Sequence, residues 1–511
     1  MIHFNSAAKR GVRRAAAIGL AGALLATLAA CSTGGGETGG GDQTLRIAVK
    51  GGTGDTLDPN ITPATQGDLV RSGNLYDGLT AFGHEGELEY RLAESMEPNA
   101  DATVWTVKLR PDVTFHDGSP LTAADVVATI ERIQNPDNGA KGASTLAFIP
   151  EGAATAVDDL TVEIALSAPY GPFPEVWTSP YLYIVPASFD PAEPVGTGPF
   201  ELSEFVPGQH SLFTANEDYW DGAPKVDALD VISFEDNQAQ INALQGGQID
   251  IASAVSFADV PALEETPGIE ILENKSQQFL PIYMRTDLEP FDDPKVREAL
   301  RLVVDRQEMI DVALNGYGTV ANDMLGGLTE GGPDLPQREQ DIDRAKQLPA
   351  EAGKSDLTVE LTVNDGVPGM VESAQVFAEQ AAEAGVTVNL NKIDEASYLD
   401  KYTEWPMGVD FFTTDHLGLV QLLMLPDATF NLAHWDDPEY VSLSQQMFAE
   451  PDAAKRAELL QQMRTIEHER GGLIIWGWVS VLNAYSDRVE GLVPDVSAKP
   501  FNRLNDVSLA G

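Results

Sequence analysis

Apolar and polar positions alternate along Thr44-Leu45-Arg46-Ile47-Ala48-Val49, the two-residue period of a strand with one buried face. The turn cluster Lys50-Gly51-Gly52-Thr53-Gly54-Asp55 follows it. Residues 104–110 alternate in the same way, and Phe115-His116-Asp117-Gly118-Ser119-Pro120 turns the chain. Thr122 then caps a predicted helix running through Ile130. Farther on the period switches twice: strand over 357–363, helix over 371–384, strand over 386–393. A β-α-β unit of this kind builds a parallel sheet. Residues 439–470 read as helix with polar faces, and Ile474-Ile475-Trp476-Gly477-Trp478 as a buried strand. No repeat of fixed period interrupts the series. The fold class is α/β.

One apolar run does not belong to this pattern. Residues 15–30 are apolar, follow Lys9, Arg10, Arg13 and Arg14, and end in Leu28-Ala29-Ala30-Cys31. A basic segment, a short apolar segment and small residues before a cut site make a signal peptide. The residue after the cut is the only cysteine of the chain. Leu-Ala-Ala-Cys followed by Ser32 resembles the lipobox of bacterial lipoproteins, which implies a lipid on Cys31. Residues 33–41 are Gly-rich and read as a flexible leash. No later stretch reaches the ~18 consecutive apolar residues of a membrane span. The twin arginines Arg13-Arg14 leave the export route open.

Charge narrows the function classes. The chain has 32 basic and 79 acidic side chains, a formal charge of −47. Loss of residues 1–30 removes four basic and no acidic groups, which takes it to −51. So acidic a surface repels nucleic acid. With Cys31 acylated, the folded part has no cysteine for a disulfide, and its length implies two or three lobes instead of covalent staples. An extracytoplasmic hydrolase is the enzymatic alternative, yet no Gly-x-Ser-x-Gly elbow, phosphate loop or His-Glu-x-x-His occurs. Gly196-Thr197-Gly198-Pro199 resembles a phosphate cradle only superficially, because Pro199 lacks the N–H such a loop donates. It reads as a tight turn feeding a strand over 200–205, and residues 216–220 as a turn with Tyr219 and Trp220 packed inside.

Six blocks in order then resemble a known family. They are Leu75-Tyr76-Asp77-Gly78-Leu79 with the run 92–125; Val195 to Phe200; Asn216-Glu217-Asp218-Tyr219-Trp220; residues 243–252; residues 290–300; and Val304-Asp305-Arg306. Together they resemble the family 5 extracellular solute-binding proteins, the dipeptide, oligopeptide and nickel-binding group. The resemblance implies a two-lobed periplasmic-binding-protein-like fold with an extra subdomain on the first lobe. Mapped here, lobe I comprises 44–74, 193–275 and 480–511, its accessory subdomain 75–192, and lobe II 276–479, after a signal peptide (1–30) and linker (31–43). The crossings between lobes fall near 273–285 and 473–485. It further implies no catalysis, no cofactor, a monomer lipid-anchored outside the cell membrane, and delivery of a captured ligand, a peptide first, to an ABC importer.

Candidate ligand residues follow from the same resemblance. Peptide-binding members pair an aspartate in a Trp-x-x-Asp pattern with the peptide's α-ammonium. Phe412-Thr413-Thr414-Asp415 occupies that place, with Phe412 where tryptophan is usual and no Asp-Pro following. A carboxylate facing an ammonium in a dry cleft is a strong charge-assisted pair. Residues 363–368 lack the arginine of dipeptide-selective members. Arg285 stands where asparagine is usual and has two readings, a clamp for a ligand carboxylate or a partner for a local acid. Thr53 and Gly54 follow the first strand and line the cleft, and Trp435 supplies an aromatic wall. A nickel chelate, opine or oligosaccharide is the alternative ligand, with His416 and His434 as metal partners, although each is alone in sequence.

Overall fold

The computed structural model describes residues 43–62, 65–326, 335–413, 416–497 and 499–510. Contacts divide the chain into Met1–Gly41 and one unit, Asp42–Gly511. The signal peptide, Cys31 and the Gly-rich linker lie outside the described residues, as do Thr414 and Asp415. Among the described residues no helix is long and apolar enough to cross a membrane.

The first strand is β1 (Thr44–Lys50), followed by helix α1 (Gln66–Leu75). An antiparallel group comes next: β2 (Ala93–Pro98), β3 (Val104–Leu109), helix α2 (Ala123–Gln134), β4 (Ala154–Asp158) and β5 (Thr161–Ala165). The Asp125 carboxylate accepts from both the Thr122 N–H (2.8 Å) and the Thr122 hydroxyl (2.7 Å), which fixes the start of α2 as the sequence suggests. The chain continues through β6 (Phe200–Val206), β7 (His210–Ala215), β8 (Ala228–Phe234), β9 (Ile251–Ala252) and β10 (Ile269–Phe279). Then come β11 (Ile282–Met284), helix α3 (Pro294–Leu302), β12 (Gly318–Val320), β13 (Thr358–Val363), helix α4 (Met370–Glu383), β14 (Thr387–Lys392) and β15 (Met407–Val409). Helices α5 (Pro438–Ala449) and α6 (Ala453–Arg470) precede β16 (Leu473–Ile474) and β17 (Gly477–Ser486).

These strands form three main sheets among the described residues. The first has the order β10-β17-β9-β1-β8-β7-β6, with β12 also on β17. The second runs β14-β13-β15-β11-β16, and the antiparallel group forms β2-β3-β5-β4. The β13-α4-β14 unit pairs in parallel from Thr358 opposite Thr387, as its alternating periods require. The expected single helix over 439–470 is two. Pro451 cannot continue α5, and Asp452 caps α6 by accepting from Lys455 N–H at 3.1 Å.

Among the described residues two passages between the first and second sheets take only two residues each, besides the longer excursion by which β12, between β11 and β13, joins the first sheet. Leu280 and Pro281 separate β10 from β11, and Ile475 and Trp476 separate β16 from β17. The predicted strand over 474–478 is therefore interrupted where it changes sheets. Each sheet has its own core: Ile47, Val49, Val231 and Phe213 in the first, Leu361, Val409, Phe377 and Leu300 in the second. Val296, Ala299, Leu300 and Val303 of and after α3 are all fully buried, the stripe their spacing predicts.

The sequence blocks meet at Asp77. Its carboxylate accepts from Thr197 Oγ1 (3.0 Å), Tyr219 Oη (3.1 Å) and Trp220 Nε1 (3.1 Å), with Arg91 at 3.7 Å. This ties the accessory layer to the first sheet. The glycines at 196 and 198 are dictated by close approach: a Cβ would stand 1.9 Å from Leu75 O at the first and 2.5 Å from Asn74 O at the second. The turn and the following strand are those predicted, and the cradle serves helix α1, not a phosphate.

Candidate functional site

In open α/β sheets, ligands bind at the carboxyl ends of the strands. In the first sheet β1 is parallel to both β8 and β9, so the loops after Lys50, Phe234 and Ala252 share one edge. In the second, β13 is parallel to β14 and β15, so the loops after Val363 and Val409 share another. The two short crossings join the sheets that bear these edges.

On the first sheet, Thr53 and Gly54 are exposed at the tip of the loop after β1. Nothing stands within 4 Å of where a Gly54 Cβ would be, so the loop has open space before it. Its base is fixed from below. Asp55 Oδ1 accepts from Gly52 N–H at 3.0 Å, and Asp55 Oδ2 accepts from the buried Arg71 at 2.9 Å. Arg71 reaches Ser211 Oγ as well (2.8 Å). Desolvation lowers the Arg71 pKa, opposed by the neighbouring Asp55 and Asp68.

On the second sheet, Phe412 is held to the first crossing. Phe279 and Phe412 exchange backbone hydrogen bonds of 3.0 and 3.1 Å, and their ring centroids lie 6.0 Å apart. Phe412 also lines a small apolar pocket with Tyr283, Met424, Phe430, Trp435 and Leu473. Trp435 is 5 % exposed and faces Tyr440 at 4.8 Å. Asn431 clamps it: Oδ1 accepts from Trp435 N–H (3.0 Å) and Nδ2 donates to Trp435 O (2.9 Å). Trp435 is thus both a core residue and one wall of this pocket.

The Arg285 guanidinium is engaged by a neighbouring acid. It grips Asp287 with two bonds, Nε at 2.7 Å and Nη2 at 2.6 Å, while Nη1 donates to Thr403 O. That fork raises the Arg285 pKa and lowers that of Asp287. The metal readings of the histidines meet similar obstacles. His416 is buried with Nδ1 accepting from Arg464 Nη2 at 2.6 Å; burial, aided by that cation, holds its pKa well below the ordinary range. His434 uses Nε2 on Thr403 O (3.0 Å) and Nδ1 lies 3.6 Å from Asp287. Among the described residues no three His, Cys, Asp or Glu side chains converge as a metal site.

Asp410 escaped the sequence reading. It is 8 % exposed and stands directly after β15, two residues before Phe412. Phe411 N–H donates to its Oδ1 at 2.7 Å, and the Tyr402 hydroxyl faces the carboxylate. Burial pushes Asp410 up to about 6, with those two donors opposing. A hydroxyl pair, Tyr283 and Tyr398 (3.1 Å), completes this polar pocket behind Phe412. The signal in the sequence is an acid inside the otherwise apolar Met407-Gly408-Val409-Asp410-Phe411-Phe412.

The comparisons with known proteins agree with this architecture. The profile described as "Bacterial extracellular solute-binding proteins, family 5 Middle" matches residues 87–416. A glutathione-binding protein, GsiB of Pectobacterium atrosepticum, is 29 % identical over 419 residues, covering 77 % of this chain and 80 % of that protein. The structure of HbpA2 from Haemophilus parasuis superposes with a TM-score of 0.81 at 27 % identity, over 92 % of this chain and 100 % of its own. A nickel ABC transporter structure from Bacillus halodurans gives 0.81 at 25 % identity, over 92 % and 100 %. The two-lobed α/β architecture and the profile match lead to one assignment: the chain belongs to the bacterial extracellular solute-binding proteins of family 5.

Proposed function

We propose that this protein captures a short peptide bearing a free α-ammonium between its two lobes and delivers it to an ABC importer, making and breaking no bond itself. The observation that carries the reading is the pair of two-residue crossings joining sheets whose parallel strands end in exposed loops. That arrangement suits rigid lobes closing on a ligand. The similarity to GsiB supports a peptide of glutathione's kind, a tripeptide with a free ammonium and free carboxylates. In this reading 44–74, 193–275 and 480–511 form the first lobe, 75–192 its accessory layer and 276–479 the second lobe. Asp415 receives the ammonium, Phe412 and Thr414 flank it, Thr53 and Gly54 close from the first lobe, and Trp435 backs the aromatic wall. Arg285 is left out, because its fork belongs to Asp287. A lipid on Cys31 anchors the chain outside the cell membrane.

The test is thermal and denaturant unfolding of the Cys31→Ser chain with glutathione, alanine tripeptide, their N-acetylated forms, nickel–histidine and a short oligosaccharide. A true ligand at about a hundredfold its Kd adds about 2.7 kcal/mol. Stabilisation by the free but not the acetylated peptides, lost in Asp415→Ala, is the expected result. Response to nickel–histidine or sugar alone refutes the peptide reading. For the anchor, membrane fractionation and mass spectrometry of the wild-type N-terminus should find acylated Cys31; an unmodified terminus refutes it.

A further inference from the structure

The accessory layer touches the second lobe through a contact that the crossing strands do not make. Gly171 N–H, in the loop after β5, donates to Phe448 O at 2.7 Å, near the end of α5. The approach is so close that a Cβ on Gly171 would stand 1.8 Å from Glu450 O. Beside it, the Arg456 guanidinium of α6 meets Glu175 at 2.6 Å, both largely buried. The same guanidinium donates to the carbonyls of Gly171 (3.3 Å), Glu450 (3.2 Å) and Pro451 (2.9 Å), so it bridges both sides at once. The Tyr170 ring lies between Phe148 of the accessory layer (4.6 Å, 15°) and Phe448 of the second lobe (5.7 Å, 22°). Its hydroxyl accepts from Gln421 at 3.4 Å, in the helical segment that begins at His416.

We propose that this contact, residues 170–175 against 448–456, is a clasp that fixes the angle between the lobes. The accessory layer moves with the first sheet, because Asp77 ties the two together. A two-residue crossing transmits rotation but sets no angle of its own. The clasp supplies a second, non-covalent support, made of a buried ion pair, a backbone hydrogen bond and a ring stack. Rotation of the lobes about the crossings must break it or turn about it. The short α5–α6 break at Pro451 is what brings Glu450 O and Arg456 to the same spot.

The clasp is tested without any ligand, so its failure is separate from failure of the peptide reading. In the full chain carrying Cys31→Ser, no native cysteine remains. Spin labels at Glu163→Cys and Glu383→Cys, both exposed, then report the distance between the accessory layer and the second lobe. Gly171→Ala, which forces the loops apart, and Glu175→Ala, which removes the ion pair, should each shift or broaden the distance distribution. Hydrogen exchange at the Gly171 amide should quicken in both while the β3–β5 amides stay protected. If Gly171→Ala fails to fold, Glu175→Ala carries the test alone. An unchanged distribution and an unchanged Gly171 amide in the folded variants refute the clasp and leave passive packing. Where glutathione binds, its apparent Kd should move by the factor by which the competent population moves.

Discussion

Replacing Asp410 with asparagine removes a charge from a place that disfavours it. Burial raises its pKa from 3.8 to about 6, a difference of about two units. At about 1.36 kcal/mol per unit this is about 3 kcal/mol between protonated and ionised folded states. Its direction follows from proton counts. Between about pH 4 and pH 6 the unfolded chain has released the proton while the folded chain keeps it. Stability from this group is therefore present at low pH, falls as pH rises through that window, and is lost above it. Asparagine does not titrate, so Asp410→Asn should match the parent near pH 4 and exceed its stability by up to about 3 kcal/mol near pH 7.5. Urea unfolding of both proteins at the two pH values, followed by circular dichroism, reads the difference directly. A stability difference that does not change with pH would refute the burial argument.

Three further outcomes follow from the geometry. Asp77→Ala strands Thr197, Tyr219, Trp220 and Arg91 and should cost about 3–5 kcal/mol by urea unfolding; a loss below about 1 kcal/mol would deny it a central role. Asn431→Ala orphans the Trp435 N–H and the carbonyls of Trp435 and Leu425, and should cost about 2–4 kcal/mol with a red shift of tryptophan emission; unaltered emission would show that Trp435 is held by packing alone. Arg285→Gln should leave the Kd for glutathione within about twofold, since the guanidinium serves Asp287; a larger calorimetric loss would return Arg285 to the ligand.

Local periodicity made much of the fold legible. The strand of residues 44–49, the Thr122-capped helix and the β13-α4-β14 unit all lie where alternation and capping put them; β1, α2, β13 and α4 each bury one face, while β14 lies at the sheet edge with no residue fully buried. The division of 438–470 was also readable, from Pro451 and Asp452, but a helical period hides a break that leaves both halves in phase with helix. Long-range convergence was not legible. Nothing local says that Asp77 collects hydroxyl and indole donors from residues more than a hundred positions away, or that Gly171 meets Glu450. Arg285 illustrates the limit from the other side. A guanidinium two residues from a carboxylate has a partner at hand, and only geometry decides between that partner and a ligand.

The crossings also determine how motion in this molecule can be watched. Two residues in each, with the φ of Pro281 locked by its ring, leave roughly seven soft backbone torsions to absorb any reorientation of the lobes. Tryptophans sit at this bottleneck: Trp476 within the second crossing, and Trp478 just beyond it with its indole edge-to-face on Phe279 at 5.3 Å. Phe279 and Trp478 are register partners in the first sheet, so that ring contact moves with the sheet, while Trp476 lies in the segment that leaves it. The protein thus has a built-in optical gauge, and stopped-flow emission on the unlabelled chain can time each capture event as it happens.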